Sequence, residues 1–188
     1  ITLPGIRSKL FGLLNISLEY RMIQGSFIPQ FFDQAYDLNR VVSITNDNKT
    51  IINTKDMSVF SDYDDSWTSS GLFGSANLSL FDIVNFSASY ASMTADTVEY
   101  NSFNSVLHIN TDNIPKLSAA NAFYRRNNDK NPFDFANPSE NTVMGYRIGY
   151  EMSKGVSLIW EYSEFYRDDG TGTLEPVKQT KIETAFSF

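Results

Sequence analysis

The chain has 188 residues, 41% of them hydrophobic and 14% aromatic, with a formal net charge of −7 and no cysteine. The missing thiols exclude disulfides, thiolate metal sites and cysteine nucleophiles, and the acidic balance argues against a nucleic-acid partner, which would want a basic surface. No stretch approaches the ~18 continuous apolar residues of a transmembrane helix, and the mean hydropathy of −0.28 looks soluble, yet a membrane barrel with a polar lumen has the same average.

The first element predicted is a strand over 9–23. Leu10, Leu14, Ile16, Leu18, Tyr20 and Met22 alternate there with Asn15, Ser17, Glu19 and Arg21. Period 2 of this kind marks a strand whose two faces meet different environments. The chain begins at Ile1 without a signal peptide, and Ile1-Thr2-Leu3-Pro4-Gly5-Ile6 reads like a strand end followed by a turn. A mature form or a fragment is expected from this, with the fragment favoured.

A long connection over 24–69 follows. Ile28 to Val42 and Thr50 to Phe60 are β-rich and flank the turn signal Asn46-Asp47-Asn48-Lys49, so a hairpin is expected that extends the wall or folds over its mouth. The acidic run Ser61-Asp62-Tyr63-Asp64-Asp65-Ser66 makes Asp62, Asp64 and Asp65 a weak calcium candidate, since clustered oxygens suit that ion. The spacing is not that of an EF-hand, and most charge runs are solvated surface.

Strands over 70–81, 83–95, 99–110 and 115–127 come next. Leu72, Ala76, Leu78 and Leu80 alternate with Ser75, Asn77 and Ser79. The turn Phe81-Asp82-Ile83 sets Leu78 against Phe86 and Gly74 against Tyr90, where a ring covering a strand glycine is a stabilising device. The single histidine, His108, points inward by parity with Asn104 and Asn110. A hydrolase would need a serine, a histidine and a third polar residue together on the outer face, and no such group appears there, so no enzyme is predicted. The loop over 128–140 contains Asn131-Pro132-Phe133-Asp134-Phe135-Ala136-Asn137-Pro138, which serves as turn chemistry or as a partner contact.

Three strands remain, over 141–152, 155–168 and 176–188. Thr142, Met144, Tyr146, Ile148, Tyr150 and Met152 share one face, as do Val156, Leu158, Trp160, Tyr162 and Tyr166. The three-residue turn Ser153-Lys154-Gly155, with Gly155 left-handed, sets Arg147 opposite Glu161, Tyr146 opposite Tyr162 and Ile148 opposite Trp160. That charge pair is either an interior salt bridge or part of a pore lining. The final strand places Ile182, Thr184, Phe186 and Phe188 on one face and Lys181, Glu183, Ala185 and Ser187 on the other.

About eight strands, most of ten or more residues, exceed the ~5–6 of a typical globular strand and match the ~9–11 that cross a bilayer at a tilt. A soluble all-β barrel or sandwich is the alternative. The terminal strand, ending on Phe188 with Ile182, Thr184 and Phe186 before it, resembles the C-terminal signal strand of bacterial outer-membrane β-barrel proteins, though Thr184 stands where a more apolar residue is usual. The resemblance implies an antiparallel up-and-down transmembrane β-barrel over 1–188, or the C-terminal part of a larger one. It also implies an outer-membrane location and recognition by the barrel-assembly machinery. Short turns would then face the periplasm, and the loops near 24–69 and 128–140 the exterior. Tyr20, Tyr150, Trp160, Tyr162, Tyr166, Phe186 and Phe188 would supply aromatic girdles.

Glu19, Arg21, Arg147, Glu151, Glu161, Arg167, Lys181 and Glu183 all fall on the inner face. In a small barrel they would form a polar plug; in a barrel of sixteen or so strands they would line a channel. The leading functional expectation is a passive channel for small polar solutes. The alternative is a non-conducting anchor that holds envelope proteins through its outer loops.

Overall fold

A computed structural model describes residues 5–24, 41–46, 49–54, 68–95, 98–168 and 173–187. The described residues form strands and no helix: β1 (Ile6–Leu10), β2 (Leu14–Gln24), β3 (Val41–Asn46), β4 (Lys49–Thr54), β5 (Thr68–Leu80), β6 (Val84–Ala95), β7 (Val98–Ile109), β8 (Leu117–Asp129), β9 (Thr142–Ser153), β10 (Val156–Asp168) and β11 (Leu174–Phe186). Nine of them make one antiparallel sheet in the order β1-β2-β5-β6-β7-β8-β9-β10-β11, while β3 and β4 form a two-stranded sheet of their own. The hairpin expected in the long connection is therefore present at β3–β4. Residues 28–40 and 55–60, also assigned to it, lie outside the described residues.

The predicted strand over 9–23 is two strands. Leu10 pairs with Leu14 across Phe11-Gly12-Leu13, and positive φ angles at Phe11 (52°) and Gly12 (71°) reverse the chain there. Three turn residues keep Leu10 and Leu14 on the same face, so apolar alternation runs through the turn unbroken and hides it. Phe81-Asp82-Ile83 repeats the device: Leu80 pairs with Val84, with φ of 52° at Phe81 and 55° at Asp82. At the β9–β10 turn Gly155 has the expected left-handed φ of 78°. The turn is the two residues Lys154-Gly155 and not the three expected: Ser153 ends β9 opposite Val156, and a bulge then sets Glu151 against Ser157 and restores the expected register.

All the cross-strand pairs expected from parity are present. Arg147 faces Glu161, Tyr146 faces Tyr162 and Ile148 faces Trp160, and Leu78 faces Phe86 and Gly74 faces Tyr90. The Tyr90 ring does not cover Gly74, however. The atoms nearest to where a Gly74 Cβ would stand are Ser17 O at 3.7 Å and Leu18 Cδ1 at 3.8 Å, because Tyr90 is drawn away to stack on Phe133 at 5.4 Å. The covered glycine is Gly145, whose absent Cβ would meet the Phe123 ring at 2.8 Å and the Tyr162 carbonyl.

The register sorts every side chain of the sheet onto one of two faces. Leu18, Leu72, Tyr146, Ile148, Trp160, Ile182 and Phe186 share one, the apolar face, and stand 41–63% exposed. Lys9, Glu19, Arg147, Glu161 and Glu183 share the other, the charged face. That face is not uniformly polar. Most of the buried apolar residues, namely Met93, Ala95, Val143, Ile159 and Phe165, lie on it, and Val143 and Phe165 pack with Phe123 and Val177. Burial on the charged side and exposure on the apolar side mean that the sheet curls toward its charged face.

The curl does not close the sheet: β1 and β11 are both edges, and every residue of β1 is exposed. A closed wall of eight strands is thus not what the described residues form. Nine antiparallel strands leave β1 and β11 running the same way, so they cannot pair directly without a parallel junction.

Gly145→Ala should lower the unfolding free energy by roughly 1–3 kcal/mol, the usual cost of overpacking, whereas Gly74→Ala should leave it nearly unchanged. The midpoint of denaturant unfolding of the refolded protein measures both. Equal effects of the two substitutions would contradict the packing described.

Candidate functional site

Directly opposed pairs build a polar row along the charged face. Asn85 of β6 pairs with His108 of β7, and His108 with Asn121 of β8. Asn121 in turn opposes Arg147, which opposes Glu161, which opposes Lys181. Ser79 extends the row onto β5 by donating to Asn85 Oδ1 at 2.8 Å. Seven strands, β5 to β11, thus present one hydrogen-bonding or charged group each at the same register position. Alternation alone produces this: each residue is an odd step from its strand's apolar positions.

Arg147 is the hub of the charged end. Its Nη2 donates to Glu183 Oε2 at 3.1 Å, its Nε lies 3.7 Å from Glu161 Oε2, and Lys181 pairs with Glu183 on the same strand. Two cations and two carboxylates balance. The expected Arg147–Glu161 pair exists, but the closer partner is Glu183, two strands away. Glu183 sits one pleat diagonally from the expected partner, so pairwise register reasoning does not reach it. All four side chains are 33–60% exposed, so each contact contributes only about 0.2–1 kcal/mol.

The other inner charges are placed separately. Arg21 Nη2 pairs with Glu19 Oε2 at 3.1 Å, and its guanidinium lies 3.5 Å over the Phe73 ring. Glu151 opposes Ser157 at the turn end and lines a shallow cavity with Ser118 and Gly155. Arg167 opposes Glu175 at the loop end. Arg7 and Lys9 of β1 were not anticipated; they stand over Asn15, Ser17, Ser75 and Asn77 in a second shallow cavity. Among the described residues no carboxylate pairs with either. Their signal was legible in hindsight, since Ile6, Ser8 and Leu10 alternate with Arg7 and Lys9 once Gly12 is read as a turn.

Of the terminal-strand residues, Ile182, Thr184 and Phe186 stand on the apolar face against Trp160, Leu158 and Val156; Phe188 lies outside the described residues. So do Asp62, Asp64 and Asp65. Among the described residues no cluster of acidic or imidazole side chains is grouped for a metal ion.

The loop after β8, read from the sequence as turn chemistry or a partner contact, has a defined seat on the sheet. It folds back over the loop end of the apolar face. Phe133 packs on Tyr90 and Phe103 at 5.4 and 4.8 Å, and Phe135 lies edge-on to Tyr124 at 5.0 Å. Arg126 fastens it: Nε bonds Asp129 Oδ2 at 2.9 Å, and Nη1 donates to the carbonyls of Asp134 (2.6 Å) and Asn137 (3.0 Å). Ser139 Oγ donates to the same Asp129 carboxylate. Arg125-Arg126 carried the sequence signal, because two adjacent strand residues cannot share a face. Glu164 follows the same logic, lying three residues from Glu161 and hence on the apolar face. There Tyr162 and Tyr166 both donate to it, at 2.6 and 2.7 Å.

Glu183→Gln should destabilise the protein more than Glu161→Gln, each by under about 1 kcal/mol; chemical unfolding of the two variants decides the order. Arg126→Leu strands the half-buried Asp129 carboxylate and should cost up to about 3 kcal/mol locally. Limited trypsin digestion reads it as faster cleavage after Lys130, and unchanged cleavage would contradict the latch.

No protein-family model matches this chain, and no curated protein or solved structure is found to be similar to it.

Proposed function

We propose that the nine-stranded sheet is part of the wall of a bacterial outer-membrane β-barrel, with its apolar face on lipid and its charged face on a water-filled passage for small polar solutes. The observation that carries this reading is the apolar face itself. Leu18, Leu72, Ile148, Tyr150, Trp160, Ile182 and Phe186 are each 47–63% exposed on one continuous side. Moving such a side chain out of water is worth roughly 1.5–3 kcal/mol, and soluble monomers rarely leave a patch of this extent uncovered. Lipid is the apolar phase that covers every strand at once.

Strand length agrees. The strands β5 to β11 run 12 or 13 residues. At ~3.3 Å per residue and a ~45° tilt that spans roughly 30 Å, the thickness of a hydrocarbon core. An all-antiparallel closure needs an odd number of further strands between β1 and β11, which makes the total even, as bacterial barrels have. Ile182, Thr184 and Phe186 would then belong to the strand that the assembly machinery reads.

An anchor without a passage is the second reading, and the charge-balanced Arg147 network favours it. Against it stand the wall of more than eight strands and Arg7 and Lys9, with which no carboxylate pairs among the described residues, and both suit a lumen wide enough for water.

Planar-bilayer recording of the refolded protein is expected to give discrete current steps. Arg7→Gln with Lys9→Gln should move the ion selectivity toward cations. Silence from protein demonstrably inserted would remove the passage and leave the anchor.

A further inference from the structure

We infer that the loop over 130–141 is a lipid-binding element: it folds outward from the wall and seats Phe133 and Phe135 in the interfacial layer of the bilayer. The inference rests on the membrane reading above and extends it to a segment that is not a strand.

Three observations carry it. First, the loop is fixed to the apolar side of the sheet. Tyr90, Phe103 and Tyr124, on which its two rings pack, share that face with Gly74 and Tyr146. Whatever covers that face also meets the loop. Second, the rings are its exposed apolar groups: Phe135 is 64% exposed and Phe133 46%.

Third, much of the irregular backbone is satisfied from within. Asp129, Asn131 and Asp134 side chains accept from the amides of Asn131, Phe133 and Asn137. The amides of Asp134 and Phe135 bond the carbonyls of Asn131 and Phe133. Arg126 takes the carbonyls of Asp134 and Asn137, Tyr124 that of Pro132, and Asn101 that of Lys130. A non-helical segment tolerates contact with lipid only when its amides and carbonyls are paired. A loop that merely stood in water would gain little from this, since water would satisfy the same groups. Aromatic rings on such a frame suit the boundary between headgroup and acyl chain.

The chain has two tryptophans, Trp67 and Trp160, so single reporters are simple to make. The Trp67→Phe variant keeps Trp160 in the middle of the apolar face. The triple variant Trp67→Phe, Trp160→Phe, Phe135→Trp places the only indole on the loop, and a companion with Phe133→Trp in place of Phe135→Trp guards against misfolding at one site. Each is refolded into phosphatidylcholine vesicles whose acyl chains carry bromine either just below the headgroup or near the chain middle.

The expected result is loss of Trp160 fluorescence with both lipids. The loop reporters should lose fluorescence chiefly to bromine near the headgroup. Quenched Trp160 with loop indoles that neither lipid affects would overturn the loop inference while leaving the membrane wall standing. That outcome includes loop indoles shielded by a second copy. An unquenched Trp160 would overturn the membrane reading, and the loop inference with it.

Discussion

Strict alternation of side chains across an antiparallel sheet is the constraint on which the rest of this structure depends. A one-residue slip in any strand would exchange its faces, so the separation of an apolar side from a charged side must be protected at each reversal. The turns do this. Phe11-Gly12-Leu13 and Phe81-Asp82-Ile83 hold three residues each, with left-handed backbone at their centres, and three is an odd number that returns the chain on the same face. At Gly155 a bulge restores the phase after a shorter pairing.

The two faces are then held by different physics. On the charged face, exposed ion pairs such as Arg147 with Glu183 contribute little each, and the packing of Phe123, Val143, Phe165 and Val177 supplies the buried apolar contact. On the apolar face almost nothing is buried by the chain itself. Its exception is the loop end, where Arg126 and Asp129 are 6% and 11% exposed and tie an irregular segment down over Tyr90, Phe103 and Tyr124. A buried ion pair of this kind is costly unless every remaining proton finds a partner. Here the carbonyls of Asp134 and Asn137 take up Nη1, so the pair and the loop conformation depend on each other.

Much of this was legible in the sequence because period 2 is a strong local signal. The strand pairs Arg147–Glu161, Tyr146–Tyr162 and Leu78–Phe86 follow from parity and turn length alone. What was not legible has three sources. Continuous alternation from Leu10 to Leu14 concealed the β1–β2 turn, and with it Arg7 and Lys9. Diagonal and next-strand contacts, such as Arg147 to Glu183, depend on side-chain reach, which parity does not encode. The direction in which a loop folds is set by tertiary contacts, so Phe133 and Phe135 could be recognised as unusual for a loop without their seat on Tyr90, Phe103 and Tyr124 being known. The adjacent Arg125 and Arg126 were the one local clue to it.

The central claim is that the two faces of one strand meet lipid and water, and the absence of cysteine makes it directly testable. Single cysteines placed in turn from Ser157 to Ser163 of β10, in protein refolded into vesicles, can be labelled with a membrane-impermeant maleimide applied to both sides. The account predicts a two-residue rhythm of fixed phase, with positions 157, 161 and 163 labelled and 158, 160 and 162 protected, the buried position 159 being left out of the comparison. Uniform labelling along the strand, or the opposite phase, would contradict it.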